Sequence, residues 1–208
     1  MIDYSRRKHT VIVKHKYGET RIRMIEYPGP EDWAAVYRRA LITEGKTPKD
    51  PYKEPSSEWK AAILDARHSP IRRAMYSFEF EDIPSNTSVH FCRHVHAQPY
   101  VSSLRTDRIA PEYMEKLKQD LGEFIDSDHA PRMTPVGMIL DMNAEEAQEM
   151  ANKRLCIKAA HITRMIMRGM KKLMIQVTPE IERGLVPRCE YCGGRCHEIK
   201  SCNRYPHF

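Results

Sequence analysis

No apolar run in this 208-residue chain approaches the ~20 residues needed to span a bilayer. The first residues, Met1 to His9, are polar and basic and lack the apolar core of a signal peptide. These two absences make the expected location cytoplasmic, with no membrane partner. No block of like charge stands out, which argues against a nucleic-acid-binding arm. Aromatic residues make up only 8% and are not interleaved with basic ones, as a single-strand stacking platform requires. No nucleic-acid partner is therefore expected. There is no internal repeat and no low-complexity segment.

What is present reads as an ordinary globular composition, with 41% hydrophobic and 30% charged residues. The length suits one domain, or one domain with an appendage, and is enough for a real core. The net charge of +6 favours anionic partners. A phosphate-rich cofactor or a nucleotide would meet that preference as well as a nucleic acid.

The segments from Thr10 to Lys14 and Thr20 to Tyr27 read as strands around a Tyr17-Gly18 turn. Glu31 to Ile42 places Trp33, Val36, Tyr37 and Leu41 on one side of a helix. Three prolines make Lys46 to Pro55 a loop, and Ser56 or Ser57 caps a short helix through Leu64. Met75 to Phe80 alternates, with Tyr76, Phe78 and Phe80 on one face of a strand. A helix from Pro84 to about His94 follows, and Pro99 is expected to turn the chain. Pro111 to Ile125 is amphipathic, and Pro131 and Pro135 mark a break. Asn143 then caps one long helical tract, Ala144 to about Gln176, acidic early and basic late, as the helix dipole favours. The fold class is α+β with helix dominating.

The densest chemistry lies between His90 and Arg105. His90, Arg93, His94, His96, Ser103 and Arg105 supply donors suited to phosphate and polar heterocycles. A helix ending near His94 and a loop through Pro99 are expected to bring the two halves to one rim. A solvated basic loop is the equally weighted alternative.

Arg93-His94-Val95, seven residues, Ser103-Leu104-Arg105 resembles the signature of the flavin-dependent thymidylate synthases: Arg-His-Arg, seven residues, Ser, and Arg two further on. Flanking segments are similar too. Ala66-Arg67-His68-Ser69-Pro70 resembles the family's turn before its central strand, and Asn143 to Arg164 its substrate helix. The resemblance covers residues 20 to about 185 and is similar to a short, phage-like branch, which implies a phage-encoded protein. It implies a central antiparallel sheet flanked by helices, a catalytic domain over 1–185 and a cysteine-rich tail over 186–208.

The resemblance also implies an activity. A one-carbon unit would pass from methylenetetrahydrofolate to C5 of dUMP, with NADPH as reductant through FAD, in a homotetramer whose sites are shared between subunits. Arg154 would be the catalytic cation, since negative charge building on the uracil ring needs a fixed positive partner. Ser103 and Arg105, with Leu104 between them, would hold the dUMP phosphate, with His90 and Arg93 also on the nucleotide side. His68, Ser69, Arg93, His94, Val95 and Asn143 would serve FAD. The third signature position, Val95, carries no phosphate-binding group where the family has arginine. The family's further dUMP arginine is missing from Ser127-Asp128-His129-Ala130-Pro131, with Arg132 as its substitute. These departures leave a pyrimidine nucleotide hydroxymethylase as the alternative.

Two cysteine readings remain. Cys92, beside Arg93, is read as a small buried residue in preference to a nucleophile, and Cys156 as core. Cys189, Cys192, Cys196 and Cys202 have short spacings compatible with a closed structural zinc site, as well as with free or disulfide-forming thiols. With the basic charge, such a knuckle frames the alternative of a different class, a nucleic-acid-binding protein.

Overall fold

The computed structural model describes residues 9–105, 111–122 and 131–207. Five antiparallel strands form one sheet in the order β1-β2-β3-β5-β4. They are β1 (Thr10–His15), β2 (Gly18–Glu26), β3 (Met75–Pro84), β4 (Gln98–Val101) and β5 (Pro135–Asn143). Among the described residues seven α-helices accompany them: α1 (Pro30–Thr43), α2 (Ser57–Ala66), α3 (Ser85–Cys92), α4 (Pro111–Leu121), α5 (Ala144–Arg154), α6 (His161–Val177) and α7 (Arg188–Tyr191).

Alternation builds the core. Ile22 and Met24 on β2, Tyr76, Phe78 and Phe80 on β3, and Met138, Leu140 and Met142 on β5 all point to one face and are buried. The opposite face carries charge, and there Arg21 pairs with Glu81 at 2.9 Å and Arg23 pairs with Glu79 across β2 and β3. Ala147, Met150 and Ala151 of α5, and Ile166, Met170 and Leu173 of α6, belong to the same buried cluster as the inner face. Gly169 lets α6 approach β1 and β2: a Cβ there would stand 2.9 Å from Ile22 Cδ1.

Three expectations need correction. Pro99 does not turn the chain but lies inside β4, paired with Leu140. The strand is at the sheet edge, where a residue without an N–H is tolerated. The stretch after Pro135 is not merely a break, because it becomes β5, the strand between β3 and β4. The tract after Asn143 is two helices, interrupted between Leu155 and Ala160. At that interruption the Arg164 guanidinium donates to Ile157 O at 2.7 Å, satisfying a carbonyl that no longer helical backbone can reach. The end of the expected helix at 122–125 extends beyond α4 and in part beyond the described residues.

The chain after α6 folds back on the domain. Asn152 Nδ2 donates to Val186 O at 2.7 Å, Tyr191 Oη donates to Asp65 O at 2.7 Å, and the Arg67 guanidinium sits 4.2 Å from the Tyr191 ring centre. Arg67 is held from below as well, donating to Gln148 Oε1 at 3.1 Å and Asn152 Oδ1 at 2.6 Å. No helix among the described residues is long and apolar enough to cross a membrane.

Phe78 is fully buried at the centre of the core. Phe78→Ala is expected to lower unfolding free energy by about 3–5 kcal/mol in chemical denaturation. A loss under about 1 kcal/mol would show that β3 is not central to the core.

Candidate active site

The site grows from the turn after α3, where His94 meets α5. His90 lies in the last turn of α3, Arg93 is its C-cap, and His94 follows in the turn that leaves the helix. On α5, Glu146, Met150 and Arg154 recur every four residues and share a face. Asn143 caps α5, its Oδ1 accepting from Glu146 N at 2.9 Å. Arg154 closes the last turn, where a cation complements the helix dipole.

His94 bridges the two ends of α5. Its Nδ1 lies 2.8 Å from Glu146 Oε1, and Arg154 Nε donates to its Nε2 at 3.0 Å. His94 and Glu146 are each 5% exposed. Arg154 Nε–H can only donate, so His94 Nε2 must offer its lone pair. The ring then carries its proton on Nδ1, and this N–H donates a hydrogen bond to the Glu146 carboxylate.

This arrangement leaves the outer part of the Arg154 guanidinium for a ligand. Burial, followed by the charge of Arg93, pulls Arg154 below its ordinary value. Among the described residues, neither Arg93 nor Arg154 is paired with a carboxylate. His90 stands beside both: burial first, then Arg154 and Arg93, hold its imidazole below its ordinary value. Two cations with no carboxylate partner among the described residues, beside an imidazole that resists protonation, suit an anion.

The two halves of the motif do not meet at one rim, which corrects the expected loop. After a turn in which Ala97 N–H donates to His94 O at 3.1 Å, the chain enters β4. Pairing continues to Ser102, whose Oγ accepts from Gly137 N–H at 3.0 Å. From Gln98 to Ser102 a strand advances about 14 Å. Ser103 and Arg105 therefore leave the far end of β4, Ser103 Oγ accepting from Arg105 N–H at 3.1 Å. Leu104 packs against the core. Val95 is 87% exposed in the turn after α3. The stretch 127–130, expected to lack the family's further arginine, lies outside the described residues.

His68 and Ser69 are exposed at the start of the 3₁₀ turn before β3. His68 lines a cavity of about 270 Å³ with Trp59, Ala62, Ile63, Ala66 and Pro70. Sequence reading missed this cavity and missed Glu146. Asn143-x-x-Glu146 signals a capping box, but only the Asn143 half forms, because the Glu146 carboxylate turns to His94.

One cysteine departs from expectation. Cys92 is exposed, not buried, at the end of α3, yet partial desolvation of its thiol still pushes it above the ordinary value. Such a thiol is a poor thiolate source. All six cysteines are free. Cys189, Cys196 and Cys202 line a small cavity of about 20 Å³ with Cys156 and His197, whereas Cys192 does not line it. Among the described residues no group of three or more His, Cys, Asp or Glu side chains is placed to hold a metal ion.

The depressed His90 value has a sign. The unfolded chain binds the proton more readily, so stability from this residue is present above about pH 6.5 and falls as pH drops through that value. An anion held by Arg93 and Arg154 would offset the charge part of the depression, though not the larger part due to burial, and so favour proton uptake by His90. Calorimetry with dUMP near pH 6.5, in two buffers of different ionisation enthalpy, should show greater proton uptake by wild type than by His90→Gln. Equal uptake would separate His90 from the anion.

No family model matches the chain, and no curated protein matches it significantly in sequence. Solved structures do match. One is thymidylate synthase X from Helicobacter pylori with FAD and dUMP, at 15% identity and a TM-score of 0.57, covering 79% of this chain and 98% of that one. Another structure of that flavin-dependent enzyme, also complexed with FAD and dUMP, gives 14% identity and a TM-score of 0.58 over 79% and 99% of the two chains. The five-stranded antiparallel sheet and its flanking helices thus have the fold of the flavin-dependent thymidylate synthases.

Proposed function

We propose that this chain is an FAD-dependent thymidylate synthase-like enzyme, transferring a one-carbon unit from methylenetetrahydrofolate to C5 of dUMP with NADPH as reductant. The observation that carries the reading is the cation pair of Arg93 and Arg154, with no carboxylate partner among the described residues, near His90 where the turn after α3 meets α5. Such a cluster suits a nucleotide whose ring must accept negative charge. Arg154, fixed through Nε, offers its two terminal nitrogens to the pyrimidine and stabilises charge as C5 attacks.

The residues fit a flavin cofactor in part. Arg93 supplies a phosphate partner, and the cavity at His68 has the volume and the Trp59 and Ile63 walls to take one ring system, although not the whole cofactor. Ser69 stands beside it, and Asn143, while capping α5, is the further residue assigned to this cofactor. Bound FAD would supply the hydride. Val95 adds no charge, so of the three consecutive signature residues it is Arg93 that supplies the cation on that side.

Ser103 and Arg105, at the other end of β4, fit the reading if the site forms between copies. In a homotetramer, Ser103 and Arg105 of one copy would hold the nucleotide phosphate over Arg154 of another. The tail cysteines play no part in this chemistry.

Purified protein should show oxidised-flavin absorbance, or gain it on adding FAD. With FAD, NADPH, methylenetetrahydrofolate and dUMP it should yield dTMP by mass analysis. A colourless protein that binds no FAD sinks the proposal, and a hydroxymethylated product changes its outcome. Arg154→Ala should lower kcat by about 10²–10³. Co-expressed Arg154→Ala and Arg105→Ala chains should recover part of the activity that each lacks alone. No recovery would place both residues in one protomer's site.

A further inference from the structure

We propose that Glu146 is a positioning residue for Arg154, acting through the tautomer of His94, an inference that rests on Arg154 being the charge-stabilising group of the proposed reaction. Glu146 stands in the first turn of α5 and Arg154 in the last. Eight residues of helix separate them by about 12 Å. Helical side chains lean toward the N-terminus, so Arg154 reaches back along the helix toward Glu146. The imidazole of His94, delivered by α3, fills the remaining gap with hydrogen bonds of 2.8 Å and 3.0 Å.

The chemistry of the chain has one direction. A carboxylate oxygen only accepts, so Glu146 draws the ring proton to Nδ1. That leaves Nε2 bare, and Nε2 is the acceptor that fixes Arg154 Nε. If the proton moved to Nε2, two N–H groups would face each other at a distance that now holds a hydrogen bond. Arg154 would swing away, and its terminal nitrogens would leave the anion site. Both Glu146 and His94 are buried, so water cannot replace the missing acceptor. Metal-bound histidines are oriented in the same way, by a carboxylate on the far ring nitrogen. Here the oriented group is a guanidinium instead of a metal.

Two substitutions separate this role from simple packing. Glu146→Gln keeps an oxygen able to accept from Nδ1–H. Glu146→Leu fills the space without an acceptor. Protein labelled with nitrogen-15 in histidine, with His94 assigned by comparison with His94→Gln, reports the tautomer directly. Wild type and Glu146→Gln should both show Nδ1–H, and Glu146→Leu should show a shift toward Nε2–H. In turnover, Glu146→Gln should stay within a few-fold of wild type, while Glu146→Leu should lose about 10- to 100-fold in kcat, with a smaller change in KM for dUMP.

An unchanged tautomer in Glu146→Leu overturns the inference. So does a Glu146→Gln enzyme as impaired as Glu146→Leu, because the charge and not the acceptor would then matter. A purely structural role would lower thermal stability and leave tautomer and kcat in place. If wild type makes no dTMP, the proposed reaction fails, and the tautomer measurement still decides whether Glu146 sets His94.

Discussion

A carboxylate shut away from water must find a hydrogen-bonding partner, and that requirement at Glu146 organises the junction on which the site depends. An unpaired buried charge costs several kcal/mol. Glu146 meets the requirement with His94, which comes from a different element 52 positions earlier in the chain. The contact fixes the end of α3 against α5. It also fixes where β4 begins, because the chain is only a turn past His94 when it enters that strand. The position of β4 then determines how far Ser103 and Arg105 lie from Arg93. One hydrogen bond between buried groups therefore sets the geometry of both halves of the motif.

The elements most readable in the sequence were those with a clean period and marked ends. β3 alternates Tyr76, Phe78 and Phe80, and α2 begins on Ser56, whose hydroxyl accepts from Trp59 N. β5 was hidden for the opposite reason. It opens on a proline, contains Gly137 and Asp141, and carries nothing β-branched after Ile139, so its local preference says little. It is a strand because β3 and β4 offer ladders on both sides. The split between α5 and α6 was equally silent, since Leu155 to Ala160 contains neither glycine nor proline. Packing decides it, over a propensity that would have carried the helix through.

The motif residues were legible by spacing, but their placement was not. Spacing said that Arg93 and Ser103 belong together; pairing of Gln98–Val101 with β5 puts a strand between them. Glu146 was unreadable because an acid in the first helical turn is expected on dipole grounds alone. The tail cysteines show the converse. Their short spacings point to one another, yet three of them gather around Cys156 from the α5–α6 connection. The anchor of that tail is aromatic and cationic, the Arg67–Tyr191 stack, and not sulfur.

Pro99 carries a consequence for how the sheet meets the rest of the cell. The two margins of a sheet offer unpaired N–H and C=O groups to any extended chain that drifts past. At β4 that template is four residues long and is missing one donor, so a foreign strand finds little to zip onto. The margin at β1 is longer, six residues with no proline. Among the described residues the sheet is therefore lopsided in its exposure to amyloid-like growth: one side is blunted by the same residue that sits in the middle of the motif, while the other carries lysine and histidine side chains.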